Sequence, residues 1–343
     1  MRLNRPRQLN ALNLDMCAAM LEQLALWERD PACVAVWLEG EGEKGFCAGG
    51  DVAEVVRQIR AGGPHCFDYG DQFFSTEYRL NALMHRFAKP WVSVSHGVNM
   101  GGGLGLSVGA SHRLVCERSR LAMPEIHIGL FPDVGGGWFL NRVPGGIGRI
   151  MAVTGLILNE ADALFAGLAD GFLAREMVDE ARDRFLSMPW SAEPRSNHRI
   201  ADAWMRSVCH PHRAGLPESP LRMYFDALRF IAQASDPQAM ADSLARAAQD
   251  DPWFEAPAKS LASGSPTAAA VSLEYLRRAR PLGIEQVLAL DRVLAYHYAR
   301  HHDFPEGVRA LLIDKDRKPQ WEFQGHEMVP WSHVESHFSD PHP

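Results

Sequence analysis

Two glycine-bearing loops and three carboxylates are the residues in this chain whose types and spacing could do chemistry. The first loop is Phe46-Cys47-Ala48-Gly49-Gly50-Asp51, and the second is Met100-Gly101-Gly102-Gly103-Leu104-Gly105. Each lies after a β-rich stretch and before a helix-like one. Glycine there lets the backbone approach a ligand closely with its N–H groups exposed. Two such loops on neighbouring strands could aim two donors at one oxygen, which is what a carbonyl gaining negative charge in a transition state requires. Taken singly, each loop also reads as a tight turn that needs glycine for steric reasons alone.

The carboxylates are Glu77, Glu125 and Asp133. Glu77 falls inside the apolar stripe Phe73, Leu80, Met84 and Phe87 of a predicted helix. A carboxylate in such a stripe must be paired, hydrogen-bonded or neutralised. Glu125 and Asp133 each follow a proline and flank the apolar run Ile126–Phe131. Glu125 could simply favour a helix start, and Asp133 could cap a helix running on to Asn141. Two carboxylates near a pair of N–H donors are also the parts that acyl chemistry needs: one attacks or activates water, and the other orients it or shuttles a proton.

The second loop invites two other readings. A dinucleotide fingerprint needs G-x-G-x-x-G, and from Gly101 or Gly103 the last position falls on Leu106 or Val108. Gly105-Leu106-Ser107-Val108-Gly109 matches G-x-S-x-G literally. A nucleophile elbow, however, puts its serine at a sharp turn directly after a strand, and Ser107 lies beyond three glycines in a stretch that reads as helix.

The elements that must position these residues alternate. Strands are expected at Cys33–Leu38, Trp91–Ser95 and Arg113–Cys116, with helices at Leu14–Trp27 and Tyr69–Phe87. The alternation predicts an α/β core over 1–188. The stretch Pro189–Pro220, rich in Pro, Ser, His and Arg, reads as loop. From Leu221 onward helices are expected at Leu221–Ala234, Pro237–Gln249, Ser265–Arg280, Ile284–His301 and Glu306–Leu312. This predicts a helical region over 189–343.

Composition narrows the function classes. The chain has 343 residues, 46% hydrophobic and 22% charged, with a formal net charge of -7, which fits an ordinary globular protein. That charge argues against nucleic acid as partner. No apolar run approaches membrane-spanning length, and the first residues carry no signal-like apolar segment. Six scattered cysteines without a CxxC pair predict free thiols in a reducing, cytoplasmic setting. His96, His112, His127 and the group His297, His301 and His302 show no metal-ligand spacing, so no metal is expected.

At these motifs the chain resembles the crotonase superfamily and, within it, the 3-hydroxyisobutyryl-CoA hydrolase family. Asn4-Arg5-Pro6 with Leu9-Asn10-Ala11-Leu12 is similar to the superfamily's opening motif, and Phe46–Asp51 and Met100–Ser107 to its two glycine loops. Ala122–Leu140 resembles the hydrolases' AMPE…IGLFPDVGGGxFL block. Ser265-Pro266-Thr267 and the run from Asp303-Phe304 through Glu306-Gly307-Val308-Arg309-Ala310 to Asp314-Lys315-Asp316 resemble their C-terminal signature. The likeness spans nearly the whole chain and is weakest over Pro189–Asp251.

The resemblance implies a spiral of ββα units followed by a helical C-terminal region. It implies hydrolysis of a short 3-hydroxyacyl-CoA, with 3-hydroxyisobutyryl-CoA of valine catabolism first, and no cofactor beyond the coenzyme A of the substrate. The N–H groups of Gly50 and Gly102 would form the oxyanion hole. Ala48, with Gly49 and Asp51 beside it, would meet the coenzyme. Glu125 matches the family's catalytic glutamate, Asp133 the aspartate beside it, and Glu77 a glutamate that contacts the acyl part. Hydratases carry a second glutamate where this chain has Gly105, and commonly glycine where it has Asp133; that exchange moves the expectation from hydration to hydrolysis. Enoyl-CoA hydratase or isomerase activity, a serine thioesterase using Ser107 and a non-catalytic CoA-binding role are the competing readings. Arg57, Arg60, Lys315 and Lys318 are candidate phosphate contacts, although solvation is the ordinary role of such residues. Members usually have a further strand and turn before the opening motif, and here the chain begins almost on it, so either the start is assigned late or the sheet edge is truncated. Homo-oligomerisation stays open.

Overall fold

A computed structural model of the chain describes residues 1–209 and 215–341. Contacts divide it into two compact units that interleave along the sequence. The first holds 1–50, 79–122 and 157–223, and the second 51–78, 123–156 and 224–343.

The first unit is built on two parallel sheets. Strands β1 (Arg2–Leu3), β2 (Val36–Gly40), β4 (Trp91–Ser95), β6 (His112–Val115) and β8 (Gly171–Phe172) form one, in the order β1-β2-β4-β6-β8. Strands β3 (Gly45–Cys47), β5 (Val98–Met100) and β7 (Arg120–Ala122) form the other, in the order β3-β5-β7. Every pairing within both sheets is parallel. β2 and β4 are buried along their whole length, as expected of parallel strands covered on both faces. The chain therefore runs as a repeated pattern. β2 and β3 lead to α2 (Val52–Ala61), β4 and β5 lead to α4 (Gly102–Val108), and β6 and β7 lead to the 3-10 turn Glu125–Ile128. This is the ββα repeat of the crotonase fold. It corrects one detail of the sequence reading, because the glycine loops follow the short strands β3 and β5 rather than β2 and β4. Tight turns after β2 and β4 let the chain pair a second time before its helix begins.

Local chemistry explains the helices. α1 (Leu14–Arg29) starts where the Asn13 side chain accepts a hydrogen bond from the Met16 N–H at 3.0 Å, a regular N-cap. Its buried residues Cys17, Met20 and Leu24 lie on one face. α3 (Asp68–Arg86) matches the predicted helix to within a residue at each end.

The Pro189–Pro220 stretch is only partly loop. Its residues 194–209 form a 16-residue helix, while 210–214 lie outside the described residues. Among its buried residues, Asn197, Ala201, Trp204 and Val208 keep the i, i+4, i+7, i+11 spacing of a helical stripe. Trp204 packs edge-on against Trp37 and Phe185, with ring centroids 5.7 and 5.0 Å apart. A polar composition hid a correct period. The same packing puts the 188/189 boundary inside the first unit.

The second unit is mostly helical. Expected helices appear at Pro237–Asp250, Pro266–Ala279 and Ile284–Arg300. The one expected at Leu221–Ala234 is broken into Pro220–Met223, which ends the first unit, and Phe225–Ile231. The last runs Asp303–Val308 and continues as a π-helical turn, Arg309–Ile313. Among the described residues no helix is long and apolar enough to cross a membrane.

Candidate active site

In the first unit, β3 and β5 are neighbouring parallel strands, so the loops that leave their C-terminal ends emerge at the same edge. That edge is where open α/β sheets place ligands. A side chain on Gly49 would approach Met100 O to 3.2 Å and Gly102 N to 3.6 Å, and Gly49 itself has φ +104°. A side chain on Gly103 would stand 2.6 Å from Cys47 O. The two loops therefore need glycine for mutual contact, which the steric reading and the chemical reading both predict. The Leu12 N–H to Gly49 O bond (2.8 Å) and the Ala48 N–H to Leu9 O bond (3.0 Å) hold the first loop to the opening Leu9–Leu12 motif. The Gly101 N–H to Ala122 O bond (3.1 Å) ties the second loop to the end of β7. Gly102 is the first residue of α4, so its N–H lies outside the helical ladder.

Ser107 sits within α4, not at an elbow. Its hydroxyl donates to Leu104 O at 3.1 Å and accepts from Asn99 Nδ2 at 2.9 Å. It serves the loop's packing; under the sequence's expectation of thioester cleavage, Ser107→Ala should keep at least a third of the wild-type thiol release, and a loss of 10²-fold or more would reinstate the serine reading.

In the second unit the carboxylates collect. Glu77, Glu125 and Asp133 are 2%, 5% and 5% exposed. Burial is the main cause that lifts Glu77 and Glu125 well above the ordinary carboxylate range, and the charge of Asp133 adds to it in both. Asp133 is pushed up to about 6 by burial, while a hydrogen bond from Tyr78 pulls it back. Glu77 Oε1 and Glu125 Oε2 are buried without a hydrogen-bond partner. Such atoms are costly to leave unmatched, and a perturbed, partnerless cluster of this kind is a functional-site signature.

The elements around these groups are tightly specified. Glu125 opens the 3-10 turn Glu125–Ile128, closed by Gly129 at φ 65°. A side chain on Gly129 would meet Asp303 O at 2.3 Å, and one on Gly307 would meet Ile128 C at 2.4 Å. Ser265 N–H donates to Ile126 O (3.1 Å), and Ser265 Oγ donates to Asp303 Oδ2 (2.5 Å). The C-terminal signature therefore buttresses the turn that carries Glu125.

Asp133 does not cap a helix. The helix Gly136–Phe139 is preceded by Gly135, and the Asp133 carboxylate instead accepts from Tyr78 Oη at 2.8 Å. Val134 is held at φ 49°, a strained conformation for a β-branched residue. The glycines that follow are anchored: Gly135 N–H donates to Asp291 Oδ2 (2.7 Å) and Gly137 N–H to Tyr275 Oη (2.8 Å). Tyr275 Oη in turn donates to Asp291. Asp291 is fully buried and held well above its usual range, first by burial.

Sequence reasoning missed Tyr78, Tyr275 and Asp291. The signal for Asp291 was present, because it interrupts the buried stripe Val287, Leu288, Leu294, Ala295 and Tyr298 just as Glu77 interrupts its own. The basic candidates partly gather. Arg60 lies 3.6 Å from Asp314, beside Lys315, while Arg57 pairs with Glu54 at 2.9 Å. Arg57, Arg60, Lys315 and Lys318 are exposed.

Parallel ββα repeats with two abutting glycine loops and a buried carboxylate cluster define the class. A family model described as enoyl-CoA hydratase/isomerase matches residues 1–338, and the chain belongs to that family. Among its relatives, 3-hydroxyisobutyryl-CoA hydrolase, mitochondrial, of Xenopus tropicalis is 35% identical over 339 residues, 98% of this chain and 85% of that protein. The 3-hydroxyisobutyryl-CoA hydrolase 1 of Arabidopsis thaliana is 37% identical over 341 residues, 98% and 87%. Two solved structures are similar throughout. A carnitinyl-CoA dehydratase from Mycobacterium thermoresistibile has a TM-score of 0.87 at 33% identity, covering 100% of this chain and 94% of that one. An enoyl-CoA hydratase from Rhodobacter sphaeroides 2.4.1 has a TM-score of 0.85 at 35% identity, covering 99% and 94%.

Proposed function

We propose that this chain hydrolyses a short 3-hydroxyacyl-CoA thioester, 3-hydroxyisobutyryl-CoA first among them, to the hydroxy acid and free coenzyme A. The observation that carries the reading is the buried cluster of Glu77, Glu125 and Asp133, with two carboxylate oxygens left without partners. The N–H groups of Gly50 and Gly102 polarise the thioester carbonyl, worth about 3 kcal/mol per donor when charge develops on the oxygen. Glu125 engages the carbonyl carbon, directly or through the water it deprotonates. The C–S bond breaks, the sulfur leaves and takes a proton as free thiol, and water supplies the new acid oxygen. Glu77 accepts a hydrogen bond from the acyl hydroxyl. Asp133, held by Tyr78, orients the reacting groups. Ala48, Gly49 and Asp51 line the coenzyme's approach, and Arg60 and Lys315 are its candidate phosphate contacts. The hydrolases named above support this activity. No disulfide forms among the described cysteines, of which Cys17, Cys47, Cys116 and Cys209 are buried, and this fits a reducing compartment.

Hydration is the second reading, favoured by the likeness to a carnitinyl-CoA dehydratase and an enoyl-CoA hydratase of solved structure. Gly105, where hydratases carry a glutamate, opposes it. Release of thiol from 3-hydroxyisobutyryl-CoA without hydration of crotonyl-CoA would uphold hydrolysis; the reverse pattern would overturn it.

The cluster also sets a pH dependence. Asp133 has a folded pKa of about 6, above its ordinary 3.8. Its contribution to stability is greatest below pH 4 and is lost as pH rises through about 6. The Tyr78 bond favours the charged form, so Tyr78→Phe should raise the pKa of Asp133 further. The acid limb of kcat/KM is expected to move to higher pH by about one unit or more, as one hydrogen bond to a charged group is worth about 1.5–3 kcal/mol. An unmoved limb would mean that Asp133 does not control the rate.

A further inference from the structure

The C-terminal segment gathers histidines that sequence spacing seemed to scatter. His333 and His337 lie one helical turn apart at the end of the chain. The helix Trp331–Ser336 turns both toward one side, because i and i+4 share a face. His301 follows the last residue of the helix Ile284–Arg300. One donor atom from each of the three rings lies within 4.8 Å of the others.

The rings are arranged as ligands rather than as a hydrogen-bonded chain. His337 is fully buried. Its Nδ1 stands 2.9 Å from His333 O, and a carbonyl oxygen only accepts, so Nδ1 carries the proton. Nε2 then holds a lone pair, and it is buried with no hydrogen-bond partner. This is the arrangement by which a ligating histidine is oriented, one nitrogen donating to a carbonyl and the other free for a metal. His301 stacks on His337 with ring centroids 4.2 Å apart, and His333 sits edge-on to both, at 5.3 and 5.0 Å. His333 Nε2 is 3.3 Å from Thr267 Oγ1 and 4.0 Å from Glu322 Oε2. His301 and His333 are less buried than His337, the His333 side chain being 12% exposed.

We propose that His301, His333 and His337 form a binding site for one divalent transition-metal cation of the Zn²⁺ class, which clips the C-terminal helix to the end of the helix Ile284–Arg300. Three imidazoles suit Zn²⁺ by ligand type. Zn–N bonds of about 2.0–2.1 Å place tetrahedral nitrogens about 3.3 Å apart, so metal binding draws the three rings in from their present spacing. Glu322 or a water completes the shell. The expectation of no metal considered His301 without His333 and His337, and the H-x3-H spacing at the end of the chain was the signal it passed over. The role is structural.

The test uses the full chain without a histidine tag, stripped with a chelator and titrated with Zn²⁺ alone. Calorimetry and metal analysis after gel filtration should give one equivalent per chain. The melting temperature should rise by about 3–6 °C at a hundredfold excess over Kd. Co²⁺ in place of Zn²⁺ should show the visible absorption of a four-coordinate site. His333→Gln and His301→Gln, at half-buried positions that spare the core, should each weaken binding at least tenfold and cancel the thermal shift. His337→Ala, which also opens a cavity, is read only against these two. Equal Zn²⁺ affinity in wild type and both glutamine variants would overturn the proposal by placing the metal elsewhere. Absence of binding or of a thermal shift in the wild type would overturn it by reducing the cluster to an aromatic stack.

Discussion

Glu125→Gln is expected to lower thiol release from 3-hydroxyisobutyryl-CoA by about 10³-fold or more, the scale of losing a positioned base or nucleophile, while the melting temperature at neutral pH rises. Both directions follow from one fact. The Glu125 carboxyl is buried and held well above its usual range, by burial first and then by the charge of Asp133. An acid whose folded pKa is raised binds more protons folded than unfolded. Its stability contribution is therefore present at low pH and lost as pH climbs through the folded value. A neutral amide of the same size removes that penalty, for a gain of about 1–2 kcal/mol. Activity lost with stability gained would mark Glu125 as a group kept for chemistry against the preference of the fold. Near-normal turnover in a folded Glu125→Gln protein would remove it from the mechanism, and a drop in melting temperature would assign it a structural role. Steady-state kinetics beside thermal melts at pH 5 and pH 8 separate the cases.

Gly103→Ala should act through the opposite element. The added methyl would stand 2.6 Å from Cys47 O, 2.7 Å from Cys47 Cβ and 2.9 Å from Asn99 Oδ1. Two of those atoms belong to backbone or to its first side-chain carbon, so the two loops must part. Overpacking of this kind costs about 1–3 kcal/mol of stability. Because the same loops carry the N–H groups of Gly50 and Gly102, kcat is expected to fall by about 10²-fold, the scale of losing one oxyanion donor. The loss should fall on kcat more than on KM, since the carbonyl oxygen gains charge only in the transition state. A variant destabilised by the clash but unchanged in kcat would show that loop contact serves packing alone.

Much of this was legible in the sequence because it is local. Parallel strands buried on both faces read as apolar runs, and Trp91–Ser95 was placed to the residue. A carboxylate that interrupts an apolar helical stripe stands out by period, which is how Glu77 was found. The same rule would have found Asp291. It also would have found the helix at 194–209, where Asn197, Ala201, Trp204 and Val208 keep the helical spacing through a polar composition. Proline and histidine content outweighed period there, and period was the better guide.

What the sequence alone determined is the inventory: glycines where two loops must touch, carboxylates in apolar surroundings, and the long strands and most of the long helices, all set by side-chain size, polarity and spacing over a few residues. Tertiary structure alone decided which distant residues act on one another. Asp133 takes its hydrogen bond from Tyr78, 55 positions away, rather than capping its own helix. Gly135 finds Asp291 across 156 positions. Gly307 lets its helix lie against the turn of Glu125, and His301 meets His333 and His337. These pairings carry no local pattern. They arise when burial strips water from polar groups and each must take its partner from whatever the fold has brought within hydrogen-bond reach.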